Sequence, residues 1–193
     1  MNMPGIANRL LKPIALILLA SAFSMAVASD SRDQERKDVR TMARNALERL
    51  YREQPGAKGV IQKAAGYAVF NNRGVKILVA GGGKGDGIAV DNRTRKEVFM
   101  KMVEAQAGLG VGIKKFYLIW VFETPGTLDL FINQGWELGG QAGFTAHAAG
   151  VGGGFAGAGS VKPGVWVYQL TDDGLAAEIT VKGRSDYKDD ELN

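Results

Sequence analysis

Hydrophobic and polar positions change their period once along the chain, and the change divides it. Over 30–56, "DSRDQERKDVRTMARNALERLYREQPG" places Val39, Met42, Ala43, Ala46, Leu47, Leu50 and Tyr51 at i, i+3, i+4 and i+7 spacing. That spacing predicts an amphipathic helix with one apolar face. Asp30 or Ser31 would cap its start and Pro55-Gly56 would stop it. Its other face holds Arg36, Lys37, Arg40, Arg44, Arg49 and Arg52, offset in part by Asp38, Glu48 and Glu53. "AKGVIQKAAG" predicts a second, short helix ending at Gly66, with Lys58 and Lys63 on its polar side.

From Tyr67 the period becomes two. "YAVF", "VKILVAGG", "GIAVDN", "KEVFMKMVEAQAG" and "VGIKKFYLIWVFE" predict strands. So do "WELGGQAGFTAHA", "VGGGFAGAGS", "VWVYQL" and "AEITVKG". "DNRT" at 91–94, "KPG" and "TDDG" predict turns. "TPGTLDLFINQG" interrupts the strands as a short helix, capped by Thr124 or Thr127 and closed by Gly135. The polar tail "DYKDDELN" is expected at the surface. The fold class is α+β: N-terminal helices packed on a curved, mostly antiparallel, glycine-rich, barrel-like β-sheet, with one short crossover helix.

The segment ahead of the first helix has a different use. Arg9 and Lys12 precede "PIALILLASAFSMAVA", which ends in the small-x-small triplet Ala26-Val27-Ala28. This predicts a signal peptide over 1–28, followed by a single domain over 29–193. The competing reading, an uncleaved anchor helix, meets an apolar run that is short for a bilayer span. Export to the periplasm, the envelope or the medium is the expectation.

Composition narrows the chemistry. The chain has 27 glycines and no cysteine. The lack of cysteine removes disulfides, thiolate metal sites and cysteine nucleophiles. The formal net charge is +4, and cleavage after Ala28 would take Arg9 and Lys12 with it. The small remaining excess does not call for a nucleic acid partner.

"GVGGGFAGAGS" at 150–160 satisfies G-x-G-x-x-G through Gly152, Gly154 and Gly157. A dinucleotide fingerprint must open a helix, whose N-terminus receives the pyrophosphate. Here Pro163-Gly164 and a β-branched, aromatic run follow, so no nucleotide site is expected. Glycines two apart, as at 108, 110 and 112 or at 150, 152 and 154, leave one strand face bare. Either the protein's own aromatics or an apolar ligand would lie there. Trp120, Trp136, Trp166, Phe116, Phe122 and Phe155 are the aromatic candidates.

No catalytic arrangement emerges. His147 is the single histidine, and Ser160 lacks the flanking glycines of a nucleophile elbow. The expectation is a protein that is not an enzyme, without cofactor or metal. The basic residues remain. Either they are solvated faces, or they meet anionic lipid head groups. The candidates for the second use are Arg40, Arg44, Lys58, Lys63, Arg73 and Lys84, with "NRTRK" and Lys114-Lys115 as further groups.

"PGAKGVIQKAAGYAVF" resembles the SYLF lipid-binding domain family, also described as the actin-binding domain of a yeast endocytic protein. The likeness continues through "ILVAGGGKGDGIAV", "KMVEAQAGLGVGIKKF", "VFET", "GWELGGQAGFTA", "GVWVYQLTDDGLAAEITVKG" and "YKDDELN". It covers nearly all of 29–193 and is nearest to the exported bacterial branch. The resemblance implies a mixed α/β module that binds membranes carrying anionic phospholipid, phosphoinositides among them. It makes actin a partner only for a protein delivered to a host cell. The chain departs from the family at Asn71, where many members have proline, and at "HAAGVGGG", where many have G-P-x-G-R. The alternative reading is a carrier or structural envelope protein that binds an apolar ligand or a protein partner.

Overall fold

The computed structural model describes residues 7–77, 80–107, 112–138, 144–147, 155–176, 178–181 and 183–193. The chain divides into two compact units, Met1–Lys37 and Asp38–Asn193. Helix α1 runs over Ala7–Glu53. It does not begin at Asp30 or Ser31, because no glycine or proline interrupts 14–54 and the alanine- and leucine-rich run favours helix. In the first unit, Arg36 pairs with Asp33 one turn earlier at 2.8 Å. All that follows concerns the second unit.

Helix α2 (Pro55–Lys63) starts on a proline in its first turn, where a missing N–H costs nothing. The strands are β1 (Gly66–Ile77), β2 (Ala80–Asp91), β3 (Glu97–Ala107) and β4 (Gly112–Phe122), then helix α3 (Pro125–Gln134). There follow β5 (Trp136–Leu138), β6 (Phe144–His147), β7 (Gly159–Lys162) and β8 (Val165–Thr171). The last are β9 (Gly174–Leu175), β10 (Glu178–Val181) and β11 (Arg184–Lys188). The main sheet has the order β5-β11-β3-β2-β1-β4-β8-β7, with β9 beside β8, and every described pairing is antiparallel. It curls into a half-barrel. β6 and β10 form a separate two-stranded sheet.

Helix α3 is the expected crossover, carrying the chain from central β4 to β5 at the far edge. The Thr124 side chain accepts from Thr127 N at 3.3 Å at its start. Gly135 ends it at φ +67°, a conformation open to glycine, with its N–H on Phe131 O at 3.1 Å.

Side-chain parity sorts the sheet into two faces. Toward α1 and α2 point Val69, Ile88, Val90, Phe99, Ile119, Val121, Tyr168 and Leu170. They pack against Val39, Ala43, Ala46, Leu50, Ala57 and Ile61. The helix stripe read from the sequence is the one buried here. Toward α3 point Phe70, Met100, Met102, Leu118, Trp120 and Phe122, packed on Leu128 and Phe131. The Phe131 ring lies 4.9 Å from Phe122 and 5.3 Å from Trp136, centre to centre.

Other expectations change as well, and Phe155–Gly157 of the expected strand "VGGGFAGAGS" form a turn. "YAVF" and "VKILVAGG" were expected as separate strands, but β1 runs unbroken through Asn71-Asn72. The tail lies at the surface only in part, with Tyr187, Lys188, Asp190, Glu191 and Asn193 exposed. β11 lies inside the sheet between β3 and β5. Asp186, Asp189 and Leu192 are buried, and Asn193 Nδ2 donates to Phe99 O at 2.7 Å. Dense charge hid an i, i+2 alternation that puts Arg184 and Asp186 on one face.

A bare strand face does occur, on β2. Gly83, Gly85 and Gly87 point toward α3. The Phe70 ring occupies the place of a side chain at Gly87, and Asn72 Oδ1 that at Gly83. At Gly85 the backbone carbonyl of Asn71 stands there, so the protein's own atoms cover all three positions. Of the glycines singled out in the sequence, 108, 110, 150, 152 and 154 lie outside the described residues.

Candidate functional site

The six basic residues singled out from the sequence fall into three groups. Arg40 and Arg44, one helical turn apart on α1, border an open groove of about 260 Å³ with Leu47, Tyr67 and Glu97. Arg40 is engaged there. Its Nε donates to Glu97 at 2.7 Å and its guanidinium lies 5.1 Å from the Phe99 ring centre. Arg44 is exposed beside it. The Tyr67 hydroxyl is pushed above its usual pKa, first by burial and then by the Glu97 charge.

Lys58 and Lys63 stand exposed on α2. Lys63 borders a second groove, about 300 Å³, with Val60, Ala64, Glu123 and Phe155. Phe155 stacks on Trp166 at 4.4 Å. Asn92 fastens this end of the fold, its Nδ2 donating to Ile61 O at 2.7 Å and Ala64 O at 3.0 Å. Those two bonds tie the turn at 91–94 to the end of α2.

Arg73 and Lys84 form the third group, and the sheet adds a member. Arg73 on β1 lies opposite Lys84 on β2 and opposite Lys115 on β4. All three are exposed, and all lie at positions whose parity points to the α1 face. They make a row of three cations across three adjacent strands. No described carboxylate pairs with any of them. Lys84 also lies opposite Val103 on β3, which is 43% exposed. Arg73 is seven residues along β1 from Gly66, about 23 Å from the α2 end at ~3.3 Å per residue. Lys115 was noted in the sequence only as part of a basic pair. Its place in the row depends on β4 pairing with β1, 42 residues away in sequence by the Arg73↔Lys115 register.

The two residues weighed for catalysis in the sequence lie on β7 and β6. Ser160 is exposed on β7, and His147 lies on β6 opposite Glu178, its side chain outside the described residues. A strand and a turn follow Ser160, so no helix N-terminus is offered to a phosphate there. Among the described residues no three His, Asp or Glu side chains gather as a metal site, and no helix is long and apolar enough to cross a membrane.

Sequence reasoning missed a polar group on the α3 face. Arg184 and Asp186 are 3% and 1% exposed, and Arg184 Nε donates to Asp186 Oδ1 at 2.8 Å. Burial pushes the Asp186 carboxyl above its usual pKa, against the downward pull of Arg184. Nearby, Asn72 donates to Glu104 across the bare β2 strand. The signal was an Arg-x-Asp alternation within a tail dense in charge.

Two comparisons bear on this molecule. No family model matches the chain. The chain is similar to beta cell expansion factor A of Aeromonas veronii, with 34% identity over 156 residues. The match covers 80% of this chain and 57% of that protein, so the chain spans under two thirds of its relative.

Proposed function

We propose that this chain is an exported, non-enzymatic membrane-binding module of the SYLF type, and that it meets anionic lipid head groups through its sheet. The row Lys84–Arg73–Lys115 carries the reading. Like charges directly opposite on neighbouring strands repel, and each such pair costs roughly 0.2–1 kcal/mol. A fold tolerates that cost where an outside anion relieves it. An anionic bilayer supplies such charge at about 1 kcal/mol per Lys or Arg near its surface, so three cations contribute about 3 kcal/mol. Exposed Val103 beside Lys84 adds an apolar contact at the same place. Arg44, Lys58 and Lys63 supply further positive charge from the helices, whereas Arg40 is held by Glu97.

Co-sedimentation with liposomes tests this. The protein pellets with vesicles containing phosphatidylglycerol at low salt, stays in solution with phosphatidylcholine alone, and is released as salt screens the charges. Replacing Arg73, Lys84 and Lys115 together by serine abolishes pelleting. Equal pelleting with neutral vesicles, or none at low salt, overturns the reading.

A further inference from the structure

The α3 face holds polar groups that the fold leaves unmet. Among the described residues, Asn72 Oδ1, Trp120 Nε1, Gln169 Oε1, Arg184 Nη1 and Nη2, and Asp186 Oδ2 are buried without a hydrogen-bond partner. Strand parity puts every one of them on this face. Buried polar atoms in folded proteins are nearly always paired, and an unpaired charged group is the least tolerable.

Arg184 is the centre of this deficit. Its side chain is 2% exposed, and Nε alone is used, on Asp186. The guanidinium carbon lies 5.1 Å from the Phe70 ring centre and 5.6 Å from that of Trp120. These rings favour the charge without satisfying a single N–H. Nη1 and Nη2 form a planar fork that matches the two oxygens of a carboxylate.

We propose that the α3 face binds the carboxylate head of an apolar ligand of the fatty-acid class, received by Arg184. The surroundings fit both ends of such a molecule. Phe70, Trp120, Met100, Met102 and Ile179 are the buried apolar side chains of the same cluster, and methionine can repack around an irregular occupant. Two carboxylates flank the arginine. Glu104, opposite Arg184 on β3, accepts from Asn72. Asp186, resisted by burial, holds its proton more firmly than an exposed carboxyl, which weakens its claim on the guanidinium. This site is separate from the cationic row on the opposite face and does not rest on the membrane reading.

Equilibrium dialysis of the full chain against oleate, sodium acetate and oleyl alcohol tests it. Oleate binds about one per chain and at least about ten-fold more tightly than oleyl alcohol, and acetate does not saturate. Arg184→Lys keeps the charge but loses the fork, and weakens oleate about ten-fold. Arg184→Met with Asp186→Leu removes the pair without stranding a charge, and the preference for carboxylate disappears. Replacing Arg73, Lys84 and Lys115 by serine leaves oleate binding unchanged. The proposal is overturned if wild type binds no oleate, or binds oleate and oleyl alcohol alike. It is also overturned if Arg184→Lys binds oleate as wild type does.

Discussion

Tyr168 and Gln169 are neighbours on β8 and belong to different worlds. Tyr168 points toward α1 into a packed apolar layer, where burial pushes its hydroxyl to a pKa of about 12. Gln169 points toward α3, where its Oε1 has no partner. The contrast extends across the sheet. The α1 face joins a helix stripe to a layer of mostly aliphatic side chains with Phe99 and Tyr168, and among its described buried polar atoms only Trp166 Nε1 is unmet. The α3 face mixes an aromatic cluster with an arginine, an aspartate and an asparagine, and holds the other six. Hydrophobic burial explains the packed layer of the first face, Trp166 Nε1 apart. It does not explain why the second keeps charges that apolar residues of similar volume would replace at no loss of stability. A face shaped only for stability has no need of them.

The largest effect that would break this contrast comes from Arg184. Arg184→Met alone strands Asp186 and costs about 3–5 kcal/mol, whereas adding Asp186→Leu restores most of it. Urea denaturation of the two variants measures both. A neutral single variant would mean that the pair is not buried as described. Next is Leu50→Ala on the α1 face, expected to cost about 2–5 kcal/mol through lost burial and the cavity left behind. The same titrations should show it leaving ligand preference on the α3 face intact, because it acts through packing alone.

The pH dependence of stability sharpens the comparison further. The folded-state pKa of Asp186 is raised above its ordinary 3.8. Its proton is held more tightly folded than unfolded, so it favours folding at low pH. That contribution is lost as pH rises through the folded value. Asp186→Asn, always neutral, should gain stability relative to wild type as pH rises above 3.8, read from urea midpoints. A constant difference across that range would remove the raised pKa. The smallest effect is on the surface. Lys84→Glu turns a repulsive pair with Arg73 into an attractive one and should stabilise the fold by about 0.2–1 kcal/mol while weakening vesicle binding. A loss of both would assign Lys84 a packing role instead.

Much of this architecture was legible in residue order. The 3.6-residue stripe Val39–Tyr51 is the buried face of α1, and Thr124 and Gly135 bound α3 as their chemistry requires. The curled antiparallel sheet followed from the number of two-residue runs and their turns. The site was legible only in pieces. Arg73 and Lys84 were singled out as basic residues near one another in sequence. Nothing in the order of residues showed that they would be opposed in register while Lys58 and Lys63 stayed at the other end of β1. Arg184 and Asp186 were concealed because a charged tail ordinarily stays in water.

The physical reason is one of range. Period, capping and turn preference act over a few residues, so element type and the apolar side of each helix are written locally. Which strands become neighbours is a long-range choice. β11 closes between β3 and β5, some eighty residues after β3 by the Arg184↔Glu104 register. Only that closure buries an arginine beside aromatic rings from β1 and β4, and only the pairing of β1 with both β2 and β4 aligns three cations. Local chemistry made the layers of this molecule, and sheet closure set the charges inside and outside them.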